Sequence, residues 1–361
     1  MVDEPIILSI DTSCDETSAA VTSGRLLLSN VISSQISIHQ KYGGVYPALA
    51  KRAHQERIDY VVQKAIQNAK KNRFDAVAVT QGPGLAIALE VGIKKAKQIS
   101  ENPLAIRENH RLPLIAVNHL EGHIYSCLAQ SVGGLPKREI IFPALCLVVS
   151  GGHTELVLMK NHGEYQLIGE TLDDACGEAL DKAAMILKLG YPGGPVIEKL
   201  ASKGEALRSY ILSQPLKDKK NLNFSYSGLK TQFLYLIQSL SQKEFSQNLQ
   251  NLALSFQTAC FEQITRKTSQ AIRVYQPKMI LCGGGVISNK TLRKLLRQTA
   301  KNNNLPVFFP PKKNLITDNA AMIGVAAYYK YLRGEFVKNI DLLDREPRMT
   351  LDSHKLQADS R

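Results

Sequence analysis

The sequence predicts an α/β protein built from two similar halves, and three observations carry that prediction. Apolar runs of strand length alternate with longer amphipathic runs of helical period. A strand–tip–strand plan near the N-terminus recurs in the middle of the chain. At 361 residues the chain exceeds the usual size of a single hydrophobic core.

The first half opens on the strand IILSID, the polar tip TSCDET and a second strand, SAAVTS. ALAKRAHQERIDYVVQKAIQNAKK then has helical periodicity, and FDAVAVTQGPG reads as a strand entering a Gly-Pro turn. LEVGIKKAKQIS is helical, and PLIAVNH is a strand leading into two histidines. The second half begins with PALCLVVSGGHTELVLMK, again strand, tight tip and strand, and each hairpin is followed by a further turn. EALDKAAMILKLG is a helix closed by Gly190, residues 248–275 are helical, and PKMILCGGGVISNKTLRKLL is strand, glycine turn and helix. NAAMIGVAAYYKYL is apolar on more than one face, which predicts a buried last helix. The boundaries expected are residues 1–124 with 318–340 for one lobe, 125–317 for the other, and a loose polar tail over 341–361.

Hydrophobic residues at 44% with 21% charged exclude a disordered or fibrous chain. No run approaches the ~20 apolar residues of a membrane span, so no membrane association is expected. The acidic start MVDEPIILSI passes directly into a strand, unlike a signal or transit peptide. Six scattered cysteines without a CxxC pair fit reduced thiols and a cytoplasmic location. The net charge of +13 suits a polyanionic partner, although a solvated lysine surface would carry the same charge. The cations are spread over Lys51 and Arg52, Lys94, Lys95 and Lys97, and residues 107–111, 217–220 and 290–297. That distribution favours a broad docking face over a polybasic tail.

Three glycine turns can present backbone N–H groups to an anion: Gly82-Pro83-Gly84, Ser150-Gly151-Gly152 and Gly283-Gly284-Gly285. None matches a P-loop or a dinucleotide-binding fingerprint, and taken singly each reads as a plain tight turn. An acidic hairpin, an SGG hairpin and a strand–GGG–helix unit together are the nucleotide-cradling parts of the two-domain actin-like ATPase architecture, a duplicated ribonuclease H-like fold. That is the fold class the sequence predicts.

NHLEGHI places His119 and His123 four residues apart, about 40° around a helix axis, so both can face one metal ion. Glu121 lies roughly 200° from His119, unlike the glutamate of HExxH, so the general base of a zinc protease is misplaced. With Asn118 as N-cap, Glu121 suits a capping box instead. A third metal ligand must come from elsewhere, and Asp318, at the start of the buried last helix, is the best candidate; a plain N-cap is its other reading. Asp11, Asp15 and Glu16 crowd the first hairpin, where carboxylates repel unless a cation or reacting group sits among them. Such a tip can offer a magnesium ligand or a proton acceptor for an attacking amine; surface solvation is the alternative.

Taken together these stretches resemble the TsaD family, the threonylcarbamoyl transferases of tRNA once labelled glycoprotein endopeptidases. The matching segments are IDTSCDET, YGGVYPALAKRAHQE, GPGL, NHLEGH, VSGGHTEL, DDACGEALDKAA, YPGGP, FSYSGLKT, GGGVISNKTLR and TDNAAMIG, in order from about residue 6 to 333. The resemblance implies the two-domain actin-like fold. It also implies transfer of the threonylcarbamoyl group from threonylcarbamoyl-AMP to N6 of the adenosine at tRNA position 37, releasing AMP. It places metal ligands on His119, His123 and Asp318, and adenylate contacts on Val148, Val149, Ser150, Gly151, Gly152, Asp181, Gly194 and Asn289. Asp15 or Glu16 would accept the proton from the adenosine amine. One divalent ion, Fe2+ or Zn2+, is implied, with Mg2+ accompanying a nucleotide as a further option. Val148 before VSGG and His153 after it, where archaeal and eukaryotic relatives have Tyr and Asn, resemble the bacterial branch. Members of that branch work with TsaB-like and TsaE-like proteins. The alternatives are a nucleotide-switched actin-like binding protein and, against the position of Glu121, a metalloprotease.

Overall fold

The computed structural model describes residues 4–102, 111–131, 138–207, 210–217 and 220–352. The chain forms two compact units, residues 1–139 with 309–351 and residues 140–308 with 352–361.

The sheet of the first unit contains β1 (Ile6–Asp11), β2 (Glu16–Ser23), β3 (Leu26–Ser34), β4 (Ala76–Gly82), β5 (Leu114–Asn118) and β6 (Gln130–Ser131). Its order is β5-β4-β1-β2-β3-β6. The β1–β2 and β2–β3 pairs are antiparallel, whereas β1–β4, β4–β5 and β3–β6 are parallel. β1 and β4 read as almost unbroken apolar runs because helices cover both sheet faces. Between β3 and β5 come a single turn, α1 (Ile36–His39), and the long helices α2 (Pro47–Ala69) and α3 (Ala86–Glu101). α2 buries Ala50, Ala53, His54, Ile58, Val61, Val62 and Ala65, a helical spacing that places one stripe on β2 and β3. That stripe joins Leu8, Ile10, Val21, Val77 and Val79 in one apolar core.

After β5 the chain turns into α4 (His119–Tyr125). In the second unit β7 (Ala144–Val149), β8 (Thr154–Asn161), β9 (Glu164–Glu170), β10 (Met279–Gly283) and β11 (Val307–Phe308) form a sheet of order β11-β10-β7-β8-β9. Here β7–β8 and β8–β9 are antiparallel, while β7–β10 and β10–β11 are parallel. The two sheets therefore share one topology: an antiparallel meander of three strands whose first strand is extended by two parallel ones. β6 is an addition at the first sheet's edge. This is the duplicated ribonuclease H-like plan of the actin-like fold.

The helices of the second unit are α5 (Cys176–Ile186), α6 (Gly193–Ala201), α7 (Ser227–Ser239), α8 (Gln242–Tyr275) and α9 (Lys290–Asn302). α8 starts before the periodic stretch at 248 because Ser241 and Glu244 form a reciprocal capping box. No cap beside α7 announces its start. The carboxylate of Asp173 supplies one, accepting from the amides of Tyr226 (2.7 Å) and Ser227 (3.1 Å) and from the hydroxyls of Ser225 (2.6 Å) and Ser227 (2.7 Å).

α10 (Ala320–Leu332) returns to the first unit and packs on α4 and on β1 to β5, buried from Ala320 to Ala327. Residues 341–351, whose polarity reads as a loose tail, are held on the first unit. The amide of Glu346 donates to the Gln81 carbonyl (2.9 Å), that of Gly84 to Pro347 (3.2 Å), and Asn118 Nδ2 to Thr350 (3.2 Å). Leu343 and Leu351 are buried. The Gly82-Pro83-Gly84 turn is thereby covered: a Cβ on Gly82 would lie 1.8 Å from the Glu346 carbonyl oxygen. This turn seats another part of the chain, not an anion. Residues 353–361 and parts of the basic segments at 107–111 and 217–220 lie outside the described residues.

Candidate metal centre and nucleotide loop

Asn118 ends β5 and caps α4, its Oδ1 accepting from the amides of Leu120 (2.8 Å) and Glu121 (3.4 Å). The cap starts the helix at His119, and a single turn brings His123 alongside; the ring centroids are 4.7 Å apart. Gly122, between them, lets α4 close on α10: a Cβ there would lie 2.9 Å from Cδ1 of Ile323. Asp318, two residues ahead of α10, presents Oδ1 at 3.4 Å from Nε2 of His119 and 3.3 Å from Nε2 of His123. The ligand atoms of the three residues all lie within 4.8 Å of one another. The N-cap of α10 is Asn319, which accepts from the Met322 amide (3.1 Å), so Asp318 is not used as the cap.

The donor set suits a divalent ion. His119 Nδ1 and both ring nitrogens of His123 are buried without a hydrogen-bond partner, and two imidazoles with one carboxylate match zinc or iron chemistry. Electrostatics agree. Burial works against a charged His119, yet the Asp318 carboxylate, with Asp11, raises its pKa to about 10. Burial, with the charge of His119, lowers that of His123. Burial opposes ionisation of Asp318, but the two histidines hold its pKa well below the carboxylate range. The carboxylate of Asp318 thus favours a positive charge among the two imidazoles, a place that a metal ion suits.

Glu121 is buried but turns its carboxylate to Arg333 (3.7 Å) and Lys330 (4.0 Å) at the end of α10. The expected capping box gives way to this pair, and Asn118 caps the helix with its own side chain. The acidic tip is buried, not solvated at the surface. Asp11, the last residue of β1, is fully buried and accepts from Thr80 Oγ1 (2.7 Å) and the Ser13 amide (3.2 Å). Asp15 is buried too, at 8% exposure, in a tip pinned to α3 by Thr12 Oγ1 donating to the Ala88 carbonyl (2.8 Å). Burial, then the charges of Asp15 and Asp318, raise the pKa of Glu16 to about 10.

In the second unit β7 ends with the fully buried Val148 and Val149. The tip beyond is closed by the Ser150 amide donating to the His153 carbonyl (2.8 Å) and the His153 amide donating to Ser150 Oγ (3.1 Å). Gly151 and Gly152 are exposed, with open space where a Cβ would stand. Two further glycines brace the tip. The Gly177 amide donates to the Ser150 carbonyl (3.2 Å), and Gly284, at φ +94°, packs against the backbone of Val149. The strand ends thus meet the first turn of α5 and the glycine turn after β10, the carboxyl edge where open α/β sheets take ligands. Asp181 Oδ1 accepts from the amides of Gly193 (2.7 Å) and Gly194 (3.2 Å), joining two of the predicted positions. Asn289 is buried, caps α9 through the amides of Thr291 (2.9 Å) and Leu292 (3.2 Å), and donates Nδ2 to Gln257 (2.8 Å). It shapes the turn ahead of α9 and is 5% exposed. No local pattern marks Asp173, Thr80 or the bracing role of Gly177, since each acts on a distant segment.

The model of the TsaD family, tRNA N6-adenosine threonylcarbamoyltransferase, matches residues 26–325. A tRNA N6-adenosine threonylcarbamoyltransferase of Syntrophomonas wolfei is 46% identical over 334 residues, covering 92% of this chain and 94% of the relative. Proteins of the same name from Halalkalibacterium halodurans (43%, 98% of each chain) and Bacillus subtilis (42%, 92% of this chain and 93% of the relative) are similar over comparable lengths. In fold, HypF of T. kodakarensis superposes with a TM-score of 0.61 at 14% identity, over 94% of this chain and 49% of that one. A family match across most of the length and relatives above 40% identity lead to one conclusion: the chain belongs to the TsaD family.

Proposed function

We propose that the protein transfers the threonylcarbamoyl group from threonylcarbamoyl-AMP to N6 of adenosine 37 in tRNA, releasing AMP. The observation that carries this reading is the family match over residues 26–325, shared with relatives named for that transferase activity. His119, His123 and Asp318 would hold one divalent ion, Fe2+ or Zn2+, which supplies a Lewis acid for a carbonyl oxygen of the substrate. The backbone of Val148, Val149, Ser150, Gly151 and Gly152 would bind the adenylate phosphate, with Gly151 and Gly152 allowing close approach. Asp181 and Gly194, already joined by a hydrogen bond, would hold the ribose, and Asn289 would shape the adenine side of the pocket.

Asp15 and Glu16 are the two carboxyls read as proton acceptors, and burial with the charges of Asp15 and Asp318 raises the pKa of Glu16. Asp15 or Glu16 would accept the proton from the adenosine amine. The net charge of +13 suits tRNA phosphates, and affinity should fall with salt. TsaB-like and TsaE-like proteins are the expected partners, and the cytoplasm the expected location. Among the described residues no helix is long and apolar enough to cross a membrane. The test is incubation with tRNA, threonylcarbamoyl-AMP and those partners, followed by RNA digestion and mass spectrometry of the nucleosides. Formation of the threonylcarbamoylated adenosine is expected; its absence under every partner combination would reject the transfer.

A further inference from the structure

We propose that Asp11 is a positioning residue for His119, accepting a hydrogen bond from its Nδ1 and so presenting Nε2 to a divalent cation. The inference rests on the reading of His119, His123 and Asp318 as metal ligands and extends it by one layer.

Two buried polar atoms lack partners at this place. Asp11 Oδ2 is one and His119 Nδ1 is the other. The Asp11 carboxylate and His119 Nδ1 are neighbours, with Oδ1 at 3.7 Å. An unmatched polar atom in a protein interior costs about 1–3 kcal/mol, and more when it is charged. A hydrogen bond from Nδ1–H to the Asp11 carboxylate would give His119 Nδ1 its missing partner, and one to Oδ2 would give that oxygen its own. The separation exceeds hydrogen-bond length, so the proposal requires the imidazole to turn toward the carboxylate.

The carboxylate is fixed in advance. Its Oδ1 already accepts from Thr80 Oγ1 and the Ser13 amide, which leaves Oδ2 as the oxygen without a partner. Topology explains the arrangement. β1, β4 and β5 are adjacent parallel strands, so their carboxyl ends bring Asp11, Thr80 and the start of α4 together. An imidazole that donates Nδ1–H to a carboxylate is held in one tautomer, with a more basic Nε2 directed at the metal. Nε2 of His119 is the atom that faces Asp318.

The test titrates metal-free, full-length protein with Zn2+ against a chromophoric chelator, recording the thermal midpoint of each variant. Asp11→Asn is expected to weaken Zn2+ binding about 10–100-fold. Thr80→Val, which frees the carboxylate to turn, is expected to weaken it by a smaller factor. In Zn2+-loaded protein labelled with 15N-histidine, long-range 1H–15N spectra should show His119 protonated at Nδ1 and metal-bound at Nε2. A purely structural role for Asp11 would not set that tautomer. Wild-type affinity in a folded Asp11→Asn protein, or coordination of His119 through Nδ1, would overturn the proposal while leaving the three ligands intact. Failure of the wild type itself to bind Zn2+ would remove the metal reading and this one with it. Should Asp11→Asn not fold, Thr80→Val and the tautomer decide the question.

Discussion

Gly284 and Val149 meet backbone to backbone: a Cβ on Gly284 would lie 2.3 Å from the Val149 carbonyl oxygen. The φ of Gly284, +94°, is already one that other residues rarely adopt. This contact sets the glycine turn after β10 against the strand end that opens into the Ser150-Gly151-Gly152 tip.

Gly284→Ala should therefore destabilise the protein by at least about 2 kcal/mol, adding left-handed strain to a clash with immobile backbone. Gly151→Ala should leave stability within about 0.5 kcal/mol, because its Cβ enters open space. Thermal denaturation of the pair checks this. Equal melting temperatures would mean that the turn and the tip are not in contact. A loss of activity in Gly151→Ala at full stability would identify the tip as a binding surface.

His123→Ala and Asp318→Ala should each bind far less Zn2+ or Fe2+ than the wild type, since two ligands hold a divalent ion poorly. Elemental analysis of the purified variants decides it. One full equivalent of metal in both would exclude the site.

Glu121→Gln separates the transferase from the protease reading. The buried carboxylate pairs with Arg333 and Lys330, so its loss should lower stability by about 1–3 kcal/mol. Metal content and nucleoside formation should survive. Were Glu121 a general base, the variant would keep its metal and lose all activity.

Glu155 gives a pH signature. Burial and the neighbouring Glu170 raise its pKa from 4.5 to about 7. The folded chain then holds this proton more tightly than the unfolded chain, so the stabilisation is complete below about pH 4.5. It is lost as pH rises through about 7, by a few kcal/mol at most. Urea midpoints at pH 5 and pH 8 should diverge between wild type and Glu155→Gln, the wild type falling further. Parallel curves would show that the carboxyl ionises as freely in the fold as in water.

Much of the candidate site was legible in the sequence because it rests on short-range rules. A cap and a four-residue spacing on one short helix put His119 and His123 on one face, and alternating apolar runs announced the strands of both hairpins. Ordered motifs over nearly the whole chain pointed to the TsaD family. Tertiary structure alone brought Asp318 to the two histidines, because that meeting depends on α10 returning across the first sheet to lie against α4 at Gly122. It also decided which glycine turn stays open, since Glu346 and Pro347 cover Gly82 and Gly84 while Gly151 and Gly152 remain exposed. Likewise it gave the cap of α10 to Asn319, the carboxylate of Glu121 to Arg333 and Lys330, and the start of α7 to Asp173. Periodicity and capping act within a few residues and can be read along the chain. The partner of a buried charge is set by packing between segments far apart in sequence, which no local pattern encodes.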